Sequence, residues 1–171
     1  MKSLRHEAVA TVLIVATLLL AACGPDVIRG RPPLVGLSGL ALAGERLDAE
    51  FRIANQNGVP MSIRSAEFAV SVRDNDLVRY AQALNLAIDA NGAEDLRVEQ
   101  AADPFTRTLL ASLDSGELTS LAFDLAGFVE TVEDGTLRFE YTGYLYRVPG
   151  RPGHYRSAVT QANELRREDP L

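Results

Sequence analysis

Leu47-Asp48-Ala49-Glu50-Phe51-Arg52-Ile53-Ala54 decides the fold class. Leu47, Ala49, Phe51 and Ile53 share one parity; Asp48, Glu50 and Arg52 take the other. A period of two places successive side chains on opposite faces, as in a half-buried strand. On the C-terminal side, Asn55 to Pro60 forms a dense turn cluster. Met61 to Arg73 resumes the alternation, with Ala66, Phe68, Val70 and Val72 inward. Asp74-Asn75-Asp76 then turns the chain. Leu84, Leu86 and Ile88 form another apolar row ended by Asn91-Gly92, and Leu96 and Val98 extend the pattern. On the N-terminal side, Leu34 to Leu42 supplies the first strand.

Further along, Asp103 is placed to cap a helix, Pro104 suits its first turn and Gly116 can close it. Phe105, Leu109 and Leu113 recur at helical spacing. Leu121, Phe123 and Leu125 alternate again, although two strand readings compete between Ser115 and Val132. Asp134-Gly135 is a hairpin signal. After it, Leu137, Phe139 and Tyr141 alternate with polar residues, and Gly143 marks a bulge beyond which Tyr144, Tyr146 and Val148 shift parity. Short strands with frequent turn signals predict an all-β protein. The expected architecture is an antiparallel β-sandwich of about seven strands with one short helix. It should occupy residues 34–156, followed by a polar tail over 157–171 that is a short helix or frayed.

The first residues read as an export signal. Lys2 and Arg5 precede an apolar run from Ala8 to Leu20, too short to span a bilayer core of about 30 Å comfortably. Leu20-Ala21-Ala22-Cys23 follows and resembles the lipobox of bacterial lipoproteins, cut before the Cys. The alternatives are a plain secretory signal or a buried structural Cys. The resemblance implies a signal peptide over 1–22, a lipid on Cys23 and firm anchoring, because acyl chains contribute about 0.8 kcal/mol per buried CH₂. Gly24 is not Asp, which in the same family implies outer-membrane sorting, on the periplasmic face. Residues 23–33, rich in Gly, Pro and Arg, read as an extended lipidated tether. The membrane is thus the first expected partner, with envelope proteins a second.

Composition narrows the chemistry. The chain has 171 residues, of which 47% are hydrophobic and 23% charged, a balance that suits one folded domain. Its formal net charge is −6, which argues against nucleic acid as a partner. Cys23 is the single cysteine, so no intrachain disulfide can form. Beyond the leader, His154 is the only histidine. No nucleophile–base pair, phosphate loop or calcium loop is legible, and the expectation is a non-catalytic protein without metal or cofactor. Carboxylates cluster at turns, where solvated charge is the default. Tyr141, Tyr144 and Tyr146 form the one aromatic group that could be a contact patch, the alternative being packing at a sheet edge.

Leu47 to Ile63 resembles the water-stress and hypersensitive-response (WHy) domain of LEA type 2 (LEA14-like) proteins. In that family an alternating strand leads to an Asn-Pro-Asn turn and then a second strand. Here Asn55-Gln56-Asn57 stands in the turn, with Gln56 in place of the Pro, and Pro60-Met61-Ser62-Ile63 follows. Phe139 to Leu145 resembles the family's closing strand, and the likeness spans roughly Leu34 to Tyr155. It implies a single immunoglobulin/fibronectin-III-like antiparallel β-sandwich without an active site, linked to desiccation and osmotic stress. Asn55 and Asn57 are expected to be structural turn residues, tolerant of left-handed backbone and bonding to nearby main chain.

Overall fold

The computed structural model describes residues 27–162. Eight strands are formed: β1 (Leu34–Ala43), β2 (Arg46–Ala54), β3 (Met61–Val72), β4 (Asn75–Ile88), β5 (Ala93–Ala101), β6 (Leu121–Thr131), β7 (Gly135–Arg147) and β8 (His154–Ala162). One helix, α1 (Pro104–Ser115), lies between β5 and β6. The alternation in β2 is borne out: Leu47, Ala49, Phe51 and Ile53 are all at most 1% exposed. The strand ends follow local turn chemistry. The β3–β4 hairpin turns on Arg73 and Asp74, both at positive φ, one residue earlier than the sequence suggested. Asp134-Gly135 makes the expected hairpin, with Gly135 at φ +70 and the Thr131 hydroxyl tying the turn.

The sandwich of about seven strands is corrected. All eight strands belong to one antiparallel sheet, in the order β4-β3-β6-β7-β8-β1-β2-β5. This sheet curls until its two end strands nearly meet, giving an almost closed barrel. Two seams explain how a sandwich pattern becomes a barrel. At the first, β8 joins β1 through only three residue pairs, Gly39–Ala41 against His154–Arg156. At the second, Gln100 of β5 uses its side-chain amide as a missing ladder rung: its Nε2 donates to Leu77 O (2.8 Å), and its Oε1 accepts from Arg79 N (3.2 Å). The edges of a sheet carry unpaired backbone groups that invite pairing, and this bridge satisfies two of them. The eighth strand is β8, which continues through 157–162 where a polar tail was expected. Residues 163–171 lie outside the described residues.

The core is one cluster running along the barrel. Phe51 of β2 meets Phe68 of β3 edge-on at 4.9 Å between centroids, linking strands that are not neighbours in the sheet, and Phe68 stacks on its β4 pairing partner Tyr80 at 5.2 Å. Such pairs add about 0.5–1.5 kcal/mol to plain burial. In β7 the expected parity shift at Gly143 does not occur. Phe139, Tyr141, Gly143 and Leu145 are all buried in one uninterrupted row, and β7 runs against β6 without a register break. Gly143 is there for closeness: a Cβ would sit 2.6 Å from the Phe123 ring and 2.9 Å from Ala158 O. The irregularity falls instead in the β7–β8 pairing, between Thr142 and Gly143, where β8 carries the extra residue.

The helix is capped as expected. Asp103 accepts from Thr106 N at 2.6 Å, and Gly116 closes the end in the left-handed conformation. Its buried face is Thr106, Leu109, Leu110 and Leu113; Phe105, expected on it, is 37% exposed. Tyr155 pins the helix to the sheet, its single O–H donating to Asp114 Oδ2 (2.8 Å) with Leu110 O also within reach (3.2 Å). Gly153 N also donates to that carboxylate.

Candidate functional site at the clasped end of the barrel

The end opposite the helix gathers the β2–β3 turn (55–60), the β4–β5 turn (89–92), the β6–β7 turn (132–134) and the start of β1. Asn55 and Asn57 lie inside it, 3% and 1% exposed. Neither has a positive φ, so the left-handed backbone expected of them is not what selects Asn here. What the two positions use is the amide. Asn55 Oδ1 accepts from Asn57 N (2.9 Å), while its Nδ2 donates to Val59 O (2.8 Å) and Asp89 O (3.0 Å). One side chain thereby ties two turns together and satisfies buried backbone groups that water cannot reach.

Asn57 reaches outward in sequence. Its Nδ2 donates to Arg31 O and its Oδ1 accepts from Arg31 N, both at 3.0 Å. Gln56 Nε2 donates to Pro32 O (3.0 Å), Gly58 N to Ile28 O (3.0 Å), and Tyr141 OH to Pro33 O (3.0 Å). The segment 28–33, the later part of the tether expected over 23–33, is therefore clasped by the barrel. Gln56, where the resembled family has Pro, supplies one donor of this clasp that a proline lacks. Pro60 is exposed and leads into β3. Pairwise spacing gave no signal for the clasp, because the partners are 26 residues apart.

The chain matches no protein-family model and no curated protein. Among solved structures it is similar to a protein from Archaeoglobus fulgidus at 8% identity, over 80% of this chain and 98% of that one, with a TM-score of 0.40. It is similar also to the solution structure of a candidate late embryogenesis abundant (LEA) protein at 9% identity, over 93% of this chain and 87% of that one, with a TM-score of 0.40.

The other singled-out residues scatter. The tyrosine patch divides, because Tyr141 is buried at 4% exposure and belongs to the clasp, whereas Tyr144 is 40% exposed on the outer face. Tyr144 and Tyr146 remain neighbours at 6.4 Å, and Arg156 lies over the Tyr146 ring at 5.7 Å. Cys23 and the lipobox residues Leu20, Ala21 and Ala22 lie outside the described residues. His154 opens β8 beside an outer-face depression that also holds Asp48, Glu50, Arg97 and Arg151. There Glu50 pairs with Arg97 and Asp48 with Arg46, and His154 Nδ1 lies 3.2 Å from Pro152 O. One oxygen of Asp48, Oδ1, is buried with no hydrogen-bond partner. Among the described residues no group of three His, Cys, Asp or Glu side chains is placed to hold a metal, and no helix is long and apolar enough to cross a membrane.

Electrostatics at the clasped end are set by backbone donors. The Ser62 N–H donates to Glu133 Oε2 (3.0 Å) and holds its carboxyl below the usual range. Burial pushes the Tyr141 phenol up, keeping it a neutral donor to Pro33 O.

Proposed function

We propose that this protein is a lipid-anchored, non-catalytic protein of a bacterial envelope, held on the periplasmic face of the outer membrane through Cys23. Its role is protection of membrane or client proteins under desiccation or osmotic stress, or binding at that surface. The observation that carries the reading is the clasp. The Asn55-Gln56-Asn57 turn, which carries the sequence resemblance to LEA type 2 proteins, also grips the segment leading back toward Cys23. A protein that must hold its anchor in a fixed place needs such a grip. A hydrated acidic surface on a rigid barrel would separate neighbours as water is withdrawn. The deciding experiment is survival of a deletion strain after drying and rehydration, complemented with wild type or Cys23→Ser. Rescue by wild type alone supports anchored protection; equal survival of all strains removes it.

A second reading, an accessory docking subunit of an envelope assembly, is favoured by one feature. Beyond the Gln100 bridge, β4 from Ala81 to Ala87 pairs, among the described residues, with β3 alone, which leaves its outer edge to accept a strand from a partner. Crosslinking from that edge to one envelope complex would support it, and recovery of no specific neighbour would count against it.

A further inference from the structure

Six large hydrophobic side chains are exposed among the described residues, and four of them, Val27, Ile28, Leu34 and Val132, lie at the clasped end. Val27 and Ile28 are seated beside Gly58, and the neighbouring Gly30 lies beside Asp134, next to Val132. Val132 is itself tied to the rim by its N–H on Ser62 O (2.9 Å). Arg29 and Arg31 are exposed on the same segment. We propose that this rim faces and enters the lipid surface, with Val27, Ile28 and Val132 at the boundary between headgroups and acyl chains and the two arginines among the phosphates.

The length of chain outside the structure argues for lipid as the occupant. Ile28 is fixed to the barrel through Gly58, and only five residue steps separate it from Cys23. At no more than about 3.6 Å each, those steps reach at most about 18 Å. An anchor on Cys23 therefore brings this end, rather than the helix end or a flank, against the bilayer. Binding at a lipid surface scales with the apolar area buried plus attraction of basic side chains to anionic headgroups, and this segment offers both. Acidic Asp89, Glu133 and Asp134 share the rim, so insertion rests on the aliphatic residues rather than on net charge. The inference rests on the anchored reading above.

The chain contains no tryptophan, so single reporters are clean. The full chain, made in a bacterium with Val132→Trp or, separately, Phe105→Trp on the helix, is reconstituted into phosphatidylethanolamine/phosphatidylglycerol vesicles containing brominated lipid. Mass spectrometry of the same sample reads the lipid on Cys23. The expected result is a blue-shifted emission at position 132, quenched several-fold more than at 105, with Ile28→Trp behaving like 132. A lipidated Cys23 with equal, weak quenching at 28, 105 and 132 overturns the orientation and leaves the anchor standing. An unmodified Cys23 on a chain that stays off the vesicles overturns both.

Discussion

Replacing Asn57 by Ala should release the segment 28–33 from the barrel. The side chain makes two hydrogen bonds to the Arg31 backbone, both at 3.0 Å. At a net 0.5–1.5 kcal/mol each, their loss should cost about 2 kcal/mol, or roughly a 30-fold change in the closed-to-open ratio. Arg31 N and O recover water once the segment lifts, which keeps the cost from rising further. The assay has two parts. Urea unfolding of the chain from residue 24 onward measures the global loss. Hydrogen exchange measures the Arg31 amide, held by Asn57, and the Gly58 amide, held by Ile28 O. Both amides should lose protection together, while those in the β6–β7 ladder keep theirs. A cycle with a chain lacking residues 1–33 isolates the contact: without its partner segment, the substitution should cost much less. Unchanged protection at Arg31 and Gly58 in Asn57→Ala, or an undiminished cost in the shortened chain, would refute the reasoning. Asn57→Asp sharpens the test, because it keeps the acceptor for Arg31 N but sets a carboxylate against Arg31 O.

Other changes probe the seams and caps. Gln100→Leu removes both hydrogen bonds that bridge β5 to β4 and should cost about 1–3 kcal/mol in urea unfolding, with faster exchange at the Arg79 amide. Gly143→Ala drives a methyl against the Phe123 ring and should cost about 1–3 kcal/mol in the same assay. Asp103→Ala removes the helix cap and should cost about 1 kcal/mol at neutral pH. The Thr106 backbone bond lowers the Asp103 pKa below 3.8, so its stabilisation is present above that pH and fades as pH falls through the lower folded value. Variant and wild type should therefore converge in acid unfolding. At the alkaline end, burial raises the pKa of Tyr80, Tyr141 and Tyr155 above 10, Tyr155 being helped by the adjacent Asp114 carboxylate. Their protonated forms stabilise the fold fully below pH 10, and the benefit is lost above it. Phenolate absorbance of these three should appear late and together with unfolding.

The local elements were legible because their causes are local. Alternation in Leu47 to Ile53 reports which side chains leave water, whatever the strand pairs with. Asp103, Pro104 and Gly116 mark a helix because its terminal N–H and C=O groups need those partners wherever it packs. Phe105 was misplaced because the buried stripe of α1 is centred one residue later, on Thr106 and Leu110, and four-residue spacing alone does not choose between neighbouring stripes. The parity shift expected at Gly143 did not occur, because parity beyond that residue depends on whether the backbone bulges. The glycine answers a different need, since the Phe123 ring occupies the space a side chain at 143 would fill.

Periodicity and local cap chemistry by themselves determined that the described residues are β-rich, with a capped helix after Asp103. These follow from hydrophobic burial and backbone hydrogen bonding within a few residues. Tertiary structure alone decided that the strands form one curled sheet rather than two layers, because three residue pairs of β1–β8 and one glutamine side chain make the closures. It alone decided that Asn57 grips Arg31 and that Tyr141 grips Pro33, contacts 26 and 108 residues apart along the chain. An amide or phenol carries the same donors and acceptors in any sequence; which backbone groups it meets is set only when distant strands are brought together.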